Sequence, residues 1–318
     1  MTRTARDFGA ERLREADEFA VAAERHVMHC RHVAEAAEEL WNSGRQTQAV
    51  QLVRDEGEEL AVMLRHMPER PDHATQLLTA VVNLWFWWAV HDGEAARGLQ
   101  YLHRLLPVCH PDHPAVLAGG WLAAWLTAPA DPRAAGELLR TTWPEAVMAG
   151  DDAALGRIAH VHGLLALYRG DLAAAAEHFR EAADTTPPHA PAGPSTAVSL
   201  AALAVAQAGL GTTAARHTAR RALSQPGVRG DTWACLVARY ALALSDHRQG
   251  RRSSALRRAR RTLASLDDRR PVPHAAPALK QLIHDIETGG PARIYVPAAE
   301  PDRTDVPPRR LLACLPCP

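Results

Sequence analysis

The sequence has little of what β-sheets and disulfide-stapled folds need. Phe, Trp and Tyr together make up 5% of the 318 residues, and β-branched side chains are scarce beside Ala, Leu and Arg. Because Ala, Leu and Arg favour helices, local propensity predicts helix nearly everywhere between residues 8 and 288. The five cysteines are too few and too dispersed for a disulfide framework in a chain of this length. They are Cys30, Cys109, Cys235, Cys314 and Cys317.

An excess of charge of either sign is also absent. Basic and acidic residues number 36 each, so no global positive field draws the chain onto nucleic acid or an anionic membrane. Residues 1–19 carry scattered charges and no apolar core, which argues against a secretory signal. We therefore expect a cytoplasmic protein that has no membrane partner and does not bind nucleic acid directly.

Two stretches lack charge altogether. Residues 74–90 and 114–130 contain no Asp, Glu, Lys or Arg, and each is about as long as the shortest membrane-spanning helix. The first contains Gln76 and Asn83, the second contains the pair Gly119 and Gly120, and both have amphipathic neighbours. This context favours buried helices of a globular array over membrane spans.

Short polar turns divide the chain at regular intervals. They lie at residues 42–44, 91–93, 129–132, 169–171, 209–211 and 249–250. From the second turn onward they are separated by about forty residues, and each stands between an apolar helix and an alanine-rich helix with three- and four-residue apolar spacing. The pattern predicts an all-α fold, a tetratricopeptide-like superhelical solenoid of about six helical hairpins over residues 1–288.

The clearest predicted hairpin surrounds Gly170. Gly163 lacks a side chain and should let the first helix cross the second closely, while Gly170 closes the turn. Pro187 then ends the second helix. One apolar stripe on that helix consists of Leu172, Ala175, Phe179 and Ala182.

The end of the sequence has a different character. Residues 289–318 mix Gly, Pro and charge without periodicity. A segment of this composition cannot bury much apolar surface. We predict a disordered, Pro-rich tail after a repeat domain that ends at residue 288.

Three segments resemble a known family. They are LWNSGRQTQAVQLVRDEGEELAVMLRHM, LLTAVVNLWFWWAVHDGEAARGLQYLHRLL and HVHGLLALYRGDLAAAAEHFREAA. Together they are similar to the tetratricopeptide-repeat region of large bacterial transcriptional regulators of the LuxR/MalT-like and SARP types. In that family an acidic helix precedes a Trp-rich helix, a glycine turn and a Leu-rich helix, as Trp85 to Trp88 precede Gly93 and Leu102 here. The resemblance covers roughly residues 30–270.

The family's other modules are missing from this sequence. It has no GxxxxGK[ST] phosphate loop, and the residues after 288 are too few for a helix-turn-helix domain. The resemblance therefore implies a sensor or scaffold part: a non-catalytic protein–protein interaction or ligand-sensing module in transcriptional regulation. Such a module would take a protein or peptide partner, or a small-molecule effector, and no cofactor.

In a tetratricopeptide superhelix the first helix of each hairpin lines a concave groove. Alignment on the turn glycines places seven candidates on this surface: Asn83, Trp87, His91, Arg157, His160, Tyr240 and His247. Aromatic and polar side chains on a concave surface suit the capture of a peptide or small ligand. Ordinary packing between repeats is the alternative role for each of them.

Other clusters could carry chemistry, with a helical enzyme or metal protein as the alternative function. Metal ligands could come from His26, His29, Cys30 and His32, from Cys109, His110 and His113, or from Cys314 and Cys317. The carboxylate pairs at residues 38–39, 55–56 and 58–59 are typical of solvated helix faces. The best candidate for phosphate contact is a run of arginines between residues 248 and 261, which has no interleaved aromatic residues for base stacking.

Overall fold

A computed structural model describes residues 3–65, 71–90, 94–188, 190–266, 275–291 and 293–295. Within these ranges every regular element is an α-helix, so the all-α prediction is confirmed there. The fifteen helices are α1 Arg3–Glu15, α2 Phe19–Asn42, α3 Gln46–Arg65, α4 Pro71–Asn83, α5 Trp85–Val90, α6 Ala95–Leu105, α7 Pro114–Thr127, α8 Pro132–Ala149, α9 Asp152–Tyr168, α10 Leu172–Thr185, α11 Thr196–Gly209, α12 Ala214–Leu223, α13 Thr232–Arg248, α14 Arg252–Ala264 and α15 Ala275–Thr288.

Successive helices pack as hairpins. The pairs in contact are α2 with α3, α4 and α5 with α6, α7 with α8, α9 with α10, α11 with α12, and α13 with α14. Helix α15 then packs on α13 and α14, and α1 contacts α2. Within the described part of the chain, these contacts form six antiparallel helix pairs in sequence order.

The predicted turns fall between the helices of these pairs. Gly170 and Gly250 have φ values of 78° and 74°, in the left-handed region where a side chain would be strained. The turn after α7 uses a different device, because the Asp131 carboxylate accepts hydrogen bonds from the backbone N–H groups of Arg133 and Ala134. The turn predicted at residues 91–93 lies outside the described residues.

The hairpin of α9 and α10 has the close crossing that the sequence predicts. A Cβ atom added to Gly163 would lie 2.6 Å from the ring of Phe179, and the Phe179 side chain is fully buried. Helix α10 ends at Thr185, two residues before Pro187. The glycine therefore allows the large ring to fill the space between the two helices.

The charge-free stretches form buried helices. Residues 74–90 belong to α4 and α5, and residues 114–130 contain α7. Their Trp85 and Trp121 are among the largest fully buried side chains. Among the described residues, no helix has both the length and the apolarity that crossing a membrane requires.

The first hairpin also contacts the start of α13. The Gln46 amide nitrogen donates to Asp231 Oδ1 at 3.1 Å, and its oxygen accepts from the backbone N–H of Thr232 at 3.0 Å. A Cβ atom added to Gly44 would lie 2.7 Å from Gly230 Cα. Residues far apart in sequence are thus in backbone contact, and the chain closes on itself beside an aromatic core.

Candidate functional site

An apolar cavity lies where the first helices of the later hairpins meet. Its volume is about 240 Å³, and no lining residue that the structure describes carries a formal charge at neutral pH. Seven aromatic and imidazole side chains line the wall: Trp125, His160, Tyr168, Phe179, Trp233, Tyr240 and Tyr295. Leucine, valine and alanine supply most of the remainder, so the cavity suits an uncharged and largely apolar occupant.

His160 is the imidazole of this wall. Its ring is 2% exposed and lies 5.4 Å from the Trp125 ring and 5.3 Å from the Phe179 ring, measured between centroids. The Nδ1 atom and the Ser199 hydroxyl are 3.1 Å apart. Burial lowers the pKa of His160 to about 3, so the ring is neutral at physiological pH. A neutral imidazole can donate one hydrogen bond and accept another.

Tyr240 connects the cavity wall to the segment that follows α15. Its hydroxyl accepts a hydrogen bond from the backbone N–H of Tyr295 at 3.2 Å and donates one to the backbone carbonyl of Arg293 at 3.5 Å. Burial raises the pKa of Tyr240 to about 12, which keeps the phenol protonated and able to donate. One side chain therefore binds both kinds of main-chain group.

The same segment makes further contacts along α13 and α11. His247 Nε2 lies 3.4 Å from the Gly290 carbonyl oxygen. The Ile294 side chain fills the space beside Gly209, where an added Cβ would lie 2.5 Å from Ile294 Cδ1. Ile294 and Tyr295 also line the cavity. Four residues that were predicted to belong to a disordered tail, Gly290, Arg293, Ile294 and Tyr295, thus contact α13 or α11. Residues 292 and 296–318 of that tail lie outside the described residues.

The seven predicted groove residues are only partly brought together. His160 and Tyr240 line the apolar cavity, and His247 binds the segment that borders it. Trp87 is 9% exposed and belongs to the core, where it borders a second and larger cavity, of about 640 Å³, between α3 and α6. Asn83 is buried at the end of α4, and His91 lies outside the described residues.

Arg157 is used inside the fold. Its guanidinium donates to the Pro191 carbonyl and lies over the Trp121 ring, 5.5 Å from the centroid. Burial is the main reason that the pKa of Arg157 falls to about 10. The nearby Glu38 carboxylate accepts from the backbone N–H of Ala192, so these two charged groups hold the loop before α11.

Several histidines of the predicted metal clusters bind other groups of the chain. His26 and His29 lie 3.5 and 3.4 Å from Glu59 and Glu56, and Cys30 is buried, which raises the pKa of its thiol to about 12. His110 lies 3.1 Å from Asp72, whereas His113 caps α7 by accepting from the backbone N–H of Ala115. Across the described ranges, no three His, Cys, Asp or Glu side chains come together as metal ligands could. Cys314 and Cys317 lie outside those ranges.

Three residues of the cavity region were not singled out by the sequence. They are Trp125 and Trp233, whose rings stack at 6.0 Å, and Ser199, the partner of His160. Trp125 lies in a charge-free helix, and Trp233 follows the helix-capping Asp231. Extending the three- and four-residue spacing through α7 and α13 could have drawn attention to both indoles.

The cavity, the segment across it and the buried imidazole are therefore the features of this molecule that bear on function. The cavity is lined by residues of several hairpins, so it exists only in the folded chain. Comparisons with protein-family models, with curated proteins and with solved structures find no match to this chain.

Proposed function

We propose that this protein is a non-catalytic binding module that holds a peptide segment of a protein partner against α13 at the mouth of the cavity. The observation that carries the proposal is a pair of hydrogen bonds at the Tyr240 hydroxyl, which donates to the Arg293 carbonyl and accepts from the Tyr295 N–H. Main-chain hydrogen bonds supply affinity in peptide recognition, and side-chain pockets supply specificity. The chain's own segment occupies the site as a partner peptide would.

An apolar slot provides the second element of recognition. Ile294 sits against Gly209, and the space that a Gly209 side chain would take is shared by Ile294 and Leu172. A branched aliphatic side chain fits this slot, whereas a charged one would lose its hydration there. The preferred partner is therefore a non-helical segment with an aliphatic residue between two main-chain groups that reach Tyr240.

The helix contacts support the tetratricopeptide-like solenoid within this proposal. Beyond pairing within hairpins, four of the five successive pairs of first helices are in contact, namely α2 with α4, α4 with α7, α7 with α9, and α11 with α13. At the fifth step α11 packs on α10, the second helix of the preceding hairpin. Nearest-neighbour stacking of this kind is typical of helical repeat arrays. The resemblance to regulators of the LuxR/MalT-like and SARP types supports placing the module in transcriptional control, as a sensor or scaffold.

Peptide exchange tests the function directly. A variant that ends at Thr288 lacks the internal segment, and a fluorescently labelled peptide of residues 289–299 can be added to it. We expect the truncated chain to bind this peptide, with a rise in fluorescence anisotropy, and to bind it more tightly than the full chain does. Circular dichroism of the truncated chain establishes that it is folded.

Two controls make the result specific. A peptide carrying Ile294→Asp should bind at least tenfold more weakly, because the slot beside Gly209 has no partner for a carboxylate. The truncated chain carrying Tyr240→Phe should lose several-fold in affinity, because both main-chain hydrogen bonds disappear. A folded truncated chain that does not bind the peptide would contradict the proposal.

The second candidate function is the sensing of a small hydrophobic effector. The cavity volume of about 240 Å³ with an uncharged lining favours it, and the neutral His160 ring could orient one polar group of the ligand. A helical enzyme or metal protein, the other alternative, finds less support. The imidazole nearest to the cavity is held uncharged by burial, and a general base works best with a pKa near the operating pH.

A further inference from the structure

Asp246 of α13 is the meeting point of three arginines from two other parts of the chain. Its carboxylate is 1% exposed and accepts from Arg216 of α12, from Arg251 just before α14 and from Arg258 within α14. The Arg251 Nη2 and Arg258 Nε distances to the carboxylate are 2.8 and 3.2 Å. One negative charge thus gathers three positive charges, and the cluster keeps a surplus of two.

The three arginine side chains are partly exposed, and some of their N–H groups do not bind Asp246. The side chains of Arg216, Arg251 and Arg258 are 28%, 41% and 37% exposed. Among the described contacts, Arg258 reaches the carboxylate through Nε alone and Arg216 through Nη1 alone. The remaining guanidinium N–H groups form the planar fork that matches the oxygens of a phosphate group.

Asp246 also fixes the guanidinium groups in place. A long arginine side chain ordinarily loses rotamer entropy when it binds a ligand, but these three are already held by a buried acceptor. Preorganised donors bind an anion with less entropic loss than free surface arginines do. The buried carboxylate therefore holds the three guanidinium groups in place, and its single negative charge leaves two of their three positive charges uncompensated.

The surrounding surface adds a local positive field. Residues 210–266 contain only two acidic residues, Asp231 and Asp246, and Asp231 is itself bound by Gln46, Ser195 and Ala234. The same range contains twelve arginines, at positions 216, 220, 221, 229, 239, 248, 251, 252, 257, 258, 260 and 261. From outside this range, Glu287 pairs with Arg260 and Asp184 pairs with Arg221. The neutral total charge of the chain hides this strongly basic region.

We propose that Arg216, Arg251 and Arg258, anchored by Asp246, form a phosphate-binding site on the surface shared by α12 and α14. The ligand class is a phosphate ester, which either a small phosphorylated molecule or the backbone of a polynucleotide can supply. This site is separate from the peptide site at Tyr240. It does not depend on the proposed peptide-binding function.

Titration of the full-length protein with two probes tests the site. The probes are inorganic pyrophosphate, followed by calorimetry at constant ionic strength, and a labelled DNA duplex of sixteen base pairs, followed by anisotropy. The test variant is Arg258→Gln. Its matched control is Arg257→Gln, which removes one charge from the same helix at an exposed residue that binds Ser254 and not Asp246.

We expect Arg258→Gln to weaken pyrophosphate binding at least tenfold and Arg257→Gln to leave it within twofold of the original. Binding of the duplex at least tenfold tighter than pyrophosphate, falling steeply with salt, would identify a polynucleotide backbone as the source. Duplex binding no tighter than pyrophosphate would identify a small phosphorylated molecule. Failure of both probes to bind, or equal losses in the two variants, would overturn the proposed site.

A second variant keeps the test decisive if Arg258→Gln is unfolded. Arg258→Lys retains the charge beside Asp246 but lacks the planar fork. We expect it to keep the melting temperature within a few degrees and to bind pyrophosphate at least fivefold more weakly. Unchanged binding by a folded Arg258→Lys protein would contradict a phosphate site built on guanidinium geometry.

Discussion

Gln46 binds Asp231 across 185 positions of sequence, with its amide nitrogen 3.1 Å from Oδ1. The same side chain accepts from the backbone N–H of Thr232, so one amide satisfies both groups at the start of α13. This contact joins the first hairpin to the last one. The closure therefore depends on a polar side chain that no local pattern in the sequence singles out.

Replacing Gln46 should open this closure. We expect Gln46→Ala to lower the free energy of unfolding by roughly 0.5–1.5 kcal/mol, because the Asp231 carboxylate loses one of its three donors and the Thr232 N–H loses one of its two acceptors. Urea denaturation at 25 °C measures the change. Gln48→Ala, at an exposed position of the same helix, should have almost no effect, and equal effects of both variants would contradict the closure.

His160 should make stability depend on pH. Its folded pKa is about 3, below the ordinary 6.5, so between these values the unfolded chain binds the proton and the folded chain does not. Stability from this group is then present above pH 6.5 and is lost as the pH falls toward 3. We expect a loss of about 2 kcal/mol between pH 7 and pH 5.

The variant His160→Gln isolates this contribution. It keeps a polar side chain near Ser199 but cannot titrate, so its unfolding free energy should change less between pH 7 and pH 5 than that of the original protein. Denaturation curves at the two pH values give the comparison. An identical pH dependence in both proteins would mean that His160 is not held neutral.

The crossing of α9 and α10 predicts opposite effects for two glycine substitutions. Gly163→Ala places a methyl group 2.6 Å from the Phe179 ring and should cost about 1–3 kcal/mol through overpacking. Gly136→Ala in α8 meets no atom within 4 Å and should stabilise the helix by about 0.5–1 kcal/mol. Thermal unfolding of the two variants should move in opposite directions, and a shared direction would refute the crossing.

The loss of stability on replacing a large ring by alanine should show whether that ring belongs to the core. Phe179→Ala and Trp87→Ala are each expected to lower the unfolding free energy by about 3–5 kcal/mol, because both rings are packed among core side chains. Trp143→Ala serves as the control, since that indole is 51% exposed. A Trp87→Ala protein as stable as the control would restore Trp87 to a solvent-facing groove.

The hairpins could be predicted because their signals are local. A turn such as that at Gly170, and a small residue such as Gly163 opposite Phe179, lie within about twenty residues of each other and follow helical periodicity. The contact between Trp233 and Trp85, 6.0 Å apart between ring centroids, has no such signal. It depends on how all the intervening hairpins stack, which no single segment encodes.

The candidate site shows the same division. His160 and Tyr240 were predicted to share a surface because each lies on the first helix of a hairpin, and both line the cavity. Trp87 was placed on the same surface by alignment on the turn glycine that follows it. Helix α4 ends at Asn83 and α5 begins at Trp85, and this break alters the register that determines where Trp87 lies.

The closure between Gly44 and Gly230 has a consequence for how the molecule unfolds. An open stack of helical hairpins frays from its ends, since each terminal unit contacts one neighbour only. Here the first hairpin is also held by α13, so detaching either one exposes surface of the other. The unfolding transition should then be a single concerted event, and the slow step of folding should be the meeting of these two distant segments.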